Sequence, residues 1–139
     1  MTHEMYKENV MDHYKNPRNK GILKDCSVKH KEVNPLCGDE ITIYLLIDDN
    51  GGANEKNEGT IIEKQIIKDV KFEGHGCAIS QASISLLTDY IKEMTIKEVT
   101  NLSKDDILSL LGIQITHNRM KCALLSLKTV QVGLNEFKQ

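Results

Sequence analysis

Ile66-Ile67-Lys68-Asp69-Val70-Lys71-Phe72-Glu73-Gly74-His75-Gly76-Cys77-Ala78-Ile79-Ser80-Gln81-Ala82 contains a change of hydrophobic period that decides the fold. Before Gly74, Ile66, Val70 and Phe72 follow the two-residue repeat of a strand running roughly from Ile61 to Glu73, with Lys68 breaking the inward set. After Gly76, Ile79, Ala82, Leu86, Leu87, Tyr90, Ile91 and Met94 recur at three and four, which predicts a helix over Ala78 to Glu93. Upstream, Ile41, Ile43, Leu45 and Ile47 line one face of a strand from Glu40 to Ile47, with Glu40, Thr42 and Tyr44 opposite. Val28 to Val33 is a weaker, lysine-rich strand with the character of an edge. The stretch Asp48 to Thr60 has almost nothing to bury and is expected to form a flexible hairpin loop.

Helical patterns flank these strands. Tyr6, Val10 and Tyr14 stripe a helix over Tyr6 to Asn16, which Pro17 should stop. Two short helices are expected at Thr95 to Val99 and Lys104 to Leu111, with capping-box pairs Thr95/Glu98 and Ser103/Asp106. Gly112 can end the second. Asn118 to Phe137 carries an apolar face of Met120, Leu124, Leu127, Val130, Leu134 and Phe137. Helix, strands, then helices is an α+β order: a three-stranded antiparallel sheet packed against several helices, with residues 1–139 read as one domain.

Composition narrows the function. The 139 residues carry 18 Lys+Arg against 20 Asp+Glu, a net charge of -2, which argues against electrostatic binding of nucleic acid. No apolar run approaches the ~18 residues of a membrane span. Met1-Thr2-His3-Glu4-Met5 has neither a signal-peptide core nor an arginine-rich transit helix, so a cytoplasmic location is expected. Thiols stay reduced there, and the four cysteines then read as ligands, reactive thiols or core residues.

Three of the four sit at junctions. Cys37 precedes a strand, Cys77 lies between a strand and a helix, and Cys122 falls in the first turns of the last helix. A helix N-terminus favours the thiolate at Cys77, and Arg119 and Lys121 are expected to favour it at Cys122. Gly76 allows close approach of the backbone to a metal or sulfide. Asp39, two residues after Cys37, can face the same centre on an alternating strand, or serve simply as a turn acid. There is no local Cys-x-x-Cys pair, so spacing alone does not decide between a shared metal site and buried thiols.

Four motifs together point further. Asp12-His13-Tyr14-Lys15-Asn16-Pro17-Arg18-Asn19-Lys20-Gly21, Asn34-Pro35-Leu36-Cys37-Gly38-Asp39, Gly74-His75-Gly76-Cys77-Ala78-Ile79-Ser80-Gln81-Ala82-Ser83 and Arg119-Met120-Lys121-Cys122-Ala123-Leu124-Leu125 occur in order across nearly the whole chain. They resemble the IscU/NifU N-terminal family of iron–sulfur cluster assembly scaffolds, with SufU-like features. The resemblance implies a SufE/NifU-like fold. It implies Cys37, Asp39, Cys77 and Cys122 as ligands of a [2Fe-2S] cluster or iron, with zinc as the alternative occupant or placeholder. It also implies a cysteine desulfurase that supplies persulfide sulfur and apoproteins that receive the cluster. A SufU-type zinc-dependent sulfur relay is the alternative activity. In either case the chain is a carrier more than an enzyme, and the resemblance leaves room for a homodimer on cluster binding. Within the family, the IscU branch has His before the third cysteine, where this chain has Lys121. It also has a Leu-Pro-Pro-Val-Lys segment, where this chain has Ile115-Thr116-His117-Asn118-Arg119.

The remaining candidates have plainer readings. Cys26 matches no motif and reads as an ordinary small residue. His75 and His117 read as loop residues, with His117 the reserve ligand; His13 is expected to pack or hydrogen-bond the N-terminal turn.

Overall fold

The computed structural model describes residues 3–48 and 62–138. The expected 48–60 loop therefore lies, except for Asp48, outside the described residues. Helix α1 (His3–Lys15) leads into strands β1 (Val28–Asn34), β2 (Asp39–Asp48) and β3 (Ile66–His75). Helices α2 (Ala78–Ile91), α3 (Ile96–Thr100) and α4 (Lys104–Leu111) follow, and after a single 3-10 turn at His117–Arg119 the chain ends in α5 (Met120–Lys138). The sheet has the order β1-β2-β3 and is antiparallel throughout.

Period-two alternation places Ile41, Ile43, Leu45 and Ile47 against the helices, all buried. β3 differs from expectation in two ways. It begins at Ile66, because residues 62–64 form a turn. Its inward set is Ile67, Val70 and Phe72, because a bulge shifts the register: Leu46 pairs with Asp69 but Ile47 pairs with Ile67, leaving Lys68 without a place in the ladder. The lysine that interrupts the alternation thus marks the bulge. On the outer face Tyr44 is also buried, with Lys29 over its ring and Glu73 accepting its hydroxyl proton at 2.5 Å.

Helices α2 and α5 cover the inner face, with Ile84, Leu87, Ile91, Leu125, Val130 and Leu134 joining the strand residues in one core. Both predicted capping boxes are present, Thr95 with Glu98 and Ser103 with Asp106. Gly112 caps α4 in the left-handed region (φ 68), and a Cβ there would stand 1.7 Å from the Tyr6 ring. That gap seats α1. The buried stripe of α1 carries Val10 and His13, whereas Tyr14 is exposed. His13 bonds not to its own turn but to α2, through Nδ1 and Ser85 Oγ at 2.8 Å. Ser85 Oγ also accepts the Arg18 N–H at 2.8 Å, so one hydroxyl ties both the His13 ring and the Arg18 backbone to α2. Burial, with the Arg18 charge second, lowers the pKa of His13. Among the described residues, no helix is long and apolar enough to cross a membrane.

Candidate metal centre

The centre forms where the β1–β2 turn, the end of β3 and the starts of α2 and α5 converge. Asn34 organises the turn: its carbonyl accepts the N–H of Cys37 (3.2 Å) and Gly38 (2.8 Å), and its Oδ1 accepts the Leu36 N–H (3.3 Å). The turn leaves Leu36 and Cys37 exposed at its tip. Asp39 then opens β2 opposite Asn34 and is buried.

Cys77 is the N-cap of α2. Its φ and ψ are extended, and its Sγ accepts the Ser80 N–H at 3.5 Å. The Cys77 N–H in turn donates to Asp39 Oδ1 at 2.9 Å. Gly76 makes that contact possible, since a Cβ on it would lie 2.4 Å from Asp39 Oδ1 and 2.6 Å from Ser80 Oγ. The missing side chain thus leaves room for the Asp39 carboxylate.

Cys122 lies in the first turn of α5, fully buried, with its Sγ 3.5 Å from the Cys37 Sγ. Among the described residues, Cys37, Asp39 and Cys122 form a group whose ligand atoms all lie within 4.8 Å of one another. Cys77 is not part of that tightest group, yet its thiol is near enough to act on Cys122. The expectation that Arg119 and Lys121 favour a Cys122 thiolate is not met. Both are exposed, and the Cys122 thiol is held well above the ordinary range, first by burial, then by the adjacent Asp39 carboxylate and the Cys37 and Cys77 thiols. The reserve ligand His117 is exposed in the 3-10 turn and outside the group, and His75, read as a loop residue, is the exposed last residue of β3, 3.7 Å from Glu40. Cys26 is half-buried near Tyr44, outside the group.

The donor set suits a thiophilic cation. Asp39 Oδ2 is buried without a hydrogen-bond partner among the described residues, an acceptor that a cation would satisfy. Thiolates are the soft ligands that zinc and iron–sulfur units take, and a carboxylate adds a harder donor. Two residues beside the centre had no assigned part in the sequence reading. Ser80 caps and is capped by Cys77, and Asn34 holds the turn; an Asn-Pro step is the local sign of the latter.

Residues 5–139 match the model of the NifU-like N-terminal domain. The chain belongs to that family. It is similar to a zinc-dependent sulfurtransferase SufU of Bacillus subtilis, 36% identical with 94% of this chain and 89% of the relative covered. It is similar also to an iron–sulfur cluster assembly scaffold protein IscU of Haemophilus influenzae, 32% identical with 96% and 95% covered. Among solved structures, a putative SUF-system scaffold from Fervidobacterium islandicum superposes with a TM-score of 0.67 at 30% identity, covering 96% of this chain and 99% of that one. The sheet of three antiparallel strands with five helices is thus the NifU-like fold that the motifs implied.

Proposed function

We propose that this chain is an iron–sulfur cluster assembly scaffold, with Cys37, Asp39, Cys77 and Cys122 as the ligands of the unit being built. The observation that carries this reading is the meeting of Cys122 with Cys37 and Asp39 within 4.8 Å from two distant parts of the sequence, with Asp39 Oδ2 unpartnered among the described residues. The kinship with IscU proteins supports it. The cargo is a [2Fe-2S] unit, built from iron and from persulfide sulfur that an external electron donor reduces to sulfide, two electrons per sulfur, and passed to apoproteins.

Cys37 is the entry point for sulfur on this reading, because it is the exposed thiol of the group while Cys122 is buried and proton-bound. The Cys37 thiolate attacks the terminal sulfur of a cysteine desulfurase persulfide. A new S–S bond forms on Cys37, the donor's S–S bond breaks, and the donor cysteine leaves as a thiolate; no net oxidation occurs. Asp39 stays on the Cys77 N–H through Oδ1 and offers Oδ2 to the cargo.

A second reading, a zinc-dependent sulfur relay of SufU type, is favoured by the same exposed Cys37 and by the likeness to the Bacillus subtilis protein. Zinc would then sit on the same four residues as a resident ion and hold their thiolates in place. Anaerobic purification with metal analysis, followed by addition of desulfurase, cysteine, iron and reductant, separates the two. Sulfide-to-iron charge-transfer bands are expected. Stoichiometric zinc with no cluster formed would overturn the scaffold reading in favour of the relay. Cys37→Ser, Cys77→Ser and Cys122→Ser should each lose the metal, and Cys26→Ser should keep it; full metal in any of the first three removes that residue from the site.

A further inference from the structure

Asn34 is the last residue of β1 and is only 6% exposed. Every polar group on it except the N–H has been given a task at the centre. Its carbonyl and Oδ1 hold the Cys37 turn. Because Oδ1 takes the Leu36 N–H, the other end of the amide must point away from the turn, and Nδ2 faces the Cys122 Sγ at 4.0 Å. Across the ladder Asn34 pairs with Asp39. One buried side chain therefore braces Cys37, neighbours Asp39 and aims a donor at Cys122.

We propose that Asn34 is a positioning residue of the centre: its side-chain amide donates to the Cys122 sulfur when that sulfur serves as a ligand, while the same amide's oxygen holds the turn that carries Cys37. The inference rests on the metal-centre reading above. An N–H donor aimed at a ligand sulfur fixes the direction of its lone pairs and stabilises the charge on the bound thiolate, which holds the ligand in place and moves its charge-transfer band to higher energy. Nδ2 has no competing acceptor among the hydrogen bonds of the side chain, and burial of Asn34 keeps water from replacing it.

The test uses the full chain with Co(II) and Zn(II) alone as probes. Asn34→Ser keeps an oxygen that can accept the Leu36 N–H, but its side chain is too short to reach Cys122. The expected result is a variant whose metal-free stability is close to wild type, whose Co(II) and Zn(II) affinities fall about 10- to 100-fold, and whose sulfur-to-Co(II) charge-transfer band moves to lower energy. The band position is the readout that a purely turn-building role would leave alone. Unchanged affinity and an unchanged band would overturn the proposal while leaving the metal centre intact. Failure of the wild-type chain to bind either ion would overturn both. Should Asn34→Ser melt below the metal-free wild type, Asn34→Thr fills more of the space and keeps the Leu36 acceptor without the donor and without an added charge. The same band shift is then expected, and an unshifted band overturns the proposal.

Discussion

Gly76→Ala is the perturbation on which the account of Asp39 depends most directly. The added methyl would lie 2.4 Å from Asp39 Oδ1, 3.0 Å from its Cγ and 2.6 Å from Ser80 Oγ, where real Cβ contacts essentially never fall below 3.0 Å. Neither neighbour yields easily. Asp39 is fixed by its pairing with Asn34 and by the Cys77 N–H; the Ser80 hydroxyl donates to the Cys77 carbonyl at 3.1 Å. Overpacking of a tight site costs about 1–3 kcal/mol. Retreat of Asp39 instead forfeits a hydrogen bond to a carboxylate, about 1.5–3 kcal/mol. Relief of one is bought with the other, so a loss of about 2–3 kcal/mol is expected rather than their sum. Urea denaturation of the metal-free protein measures it, and zinc competition against a chromophoric chelator measures the accompanying loss of affinity. The decisive comparison repeats Gly76→Ala in an Asp39→Ala background. If the carboxylate is the obstacle, part of the penalty disappears and the two changes are coupled by about 1 kcal/mol or more. Equal penalties in both backgrounds, or wild-type zinc affinity in Gly76→Ala, would refute the idea that Gly76 exists to seat Asp39.

Two further outcomes are expected. Iodoacetamide added to the metal-free protein should modify Cys37 first and Cys122 last, because Cys37 is exposed whereas Cys122 is buried and its thiol is held protonated; peptide mass mapping that finds Cys122 modified with or before Cys37 contradicts this. His13 is buried neutral with its pKa below the usual 6.5, so the unfolded chain binds the extra proton first. Its contribution to stability is complete above pH 6.5 and is lost as pH falls from there toward the lowered folded-state value, by at most about 1.4 kcal/mol per pH unit. His13→Gln should flatten that segment of a stability-versus-pH curve, and an unchanged slope would mean that another group carries it.

What was legible in the sequence is what local patterns encode. Period-two burial in β2, the two capping boxes and the turn at Asn34-Pro35 all follow from residues a few positions apart. What was not legible depends on partners far along the chain. The stripe of α1 includes His13 and leaves out Tyr14, because Ser85, on a distant helix, satisfies the imidazole. The bulge at Lys68 moves Ile67 inward, and only the pairing with β2 shows which side of the break keeps its phase. The thiol of Cys122 was misjudged for a related reason: neighbouring cationic residues are visible in sequence, whereas complete burial beside a carboxylate is not, and burial is the larger effect. Cys37, Asp39 and Cys122 come together because the β1–β2 turn that carries the first two meets the first turn of α5, a contact that no local pattern encodes.

The way Asp39 is held bears on how a scaffold can bind its cargo and still release it. Its two oxygens have separate tasks: Oδ1 accepts the Cys77 N–H, and Oδ2 is buried with no partner among the described residues. A cation at the centre would therefore meet Asp39 through one oxygen, while the backbone keeps the other. An unsatisfied buried acceptor costs about 1–3 kcal/mol. Occupancy removes that cost, so metal binding and fold stability should rise together. The carboxylate can let go of the metal without losing its place, because its anchor is the Cys77 N–H and not the ion. Asp39→Ala removes this releasable ligand. On the proposed reading it should slow the transfer of a bound cluster to an apoprotein acceptor, followed as the decay of the scaffold's own charge-transfer bands. Faster transfer would show that Asp39 retains the cluster instead of letting it leave.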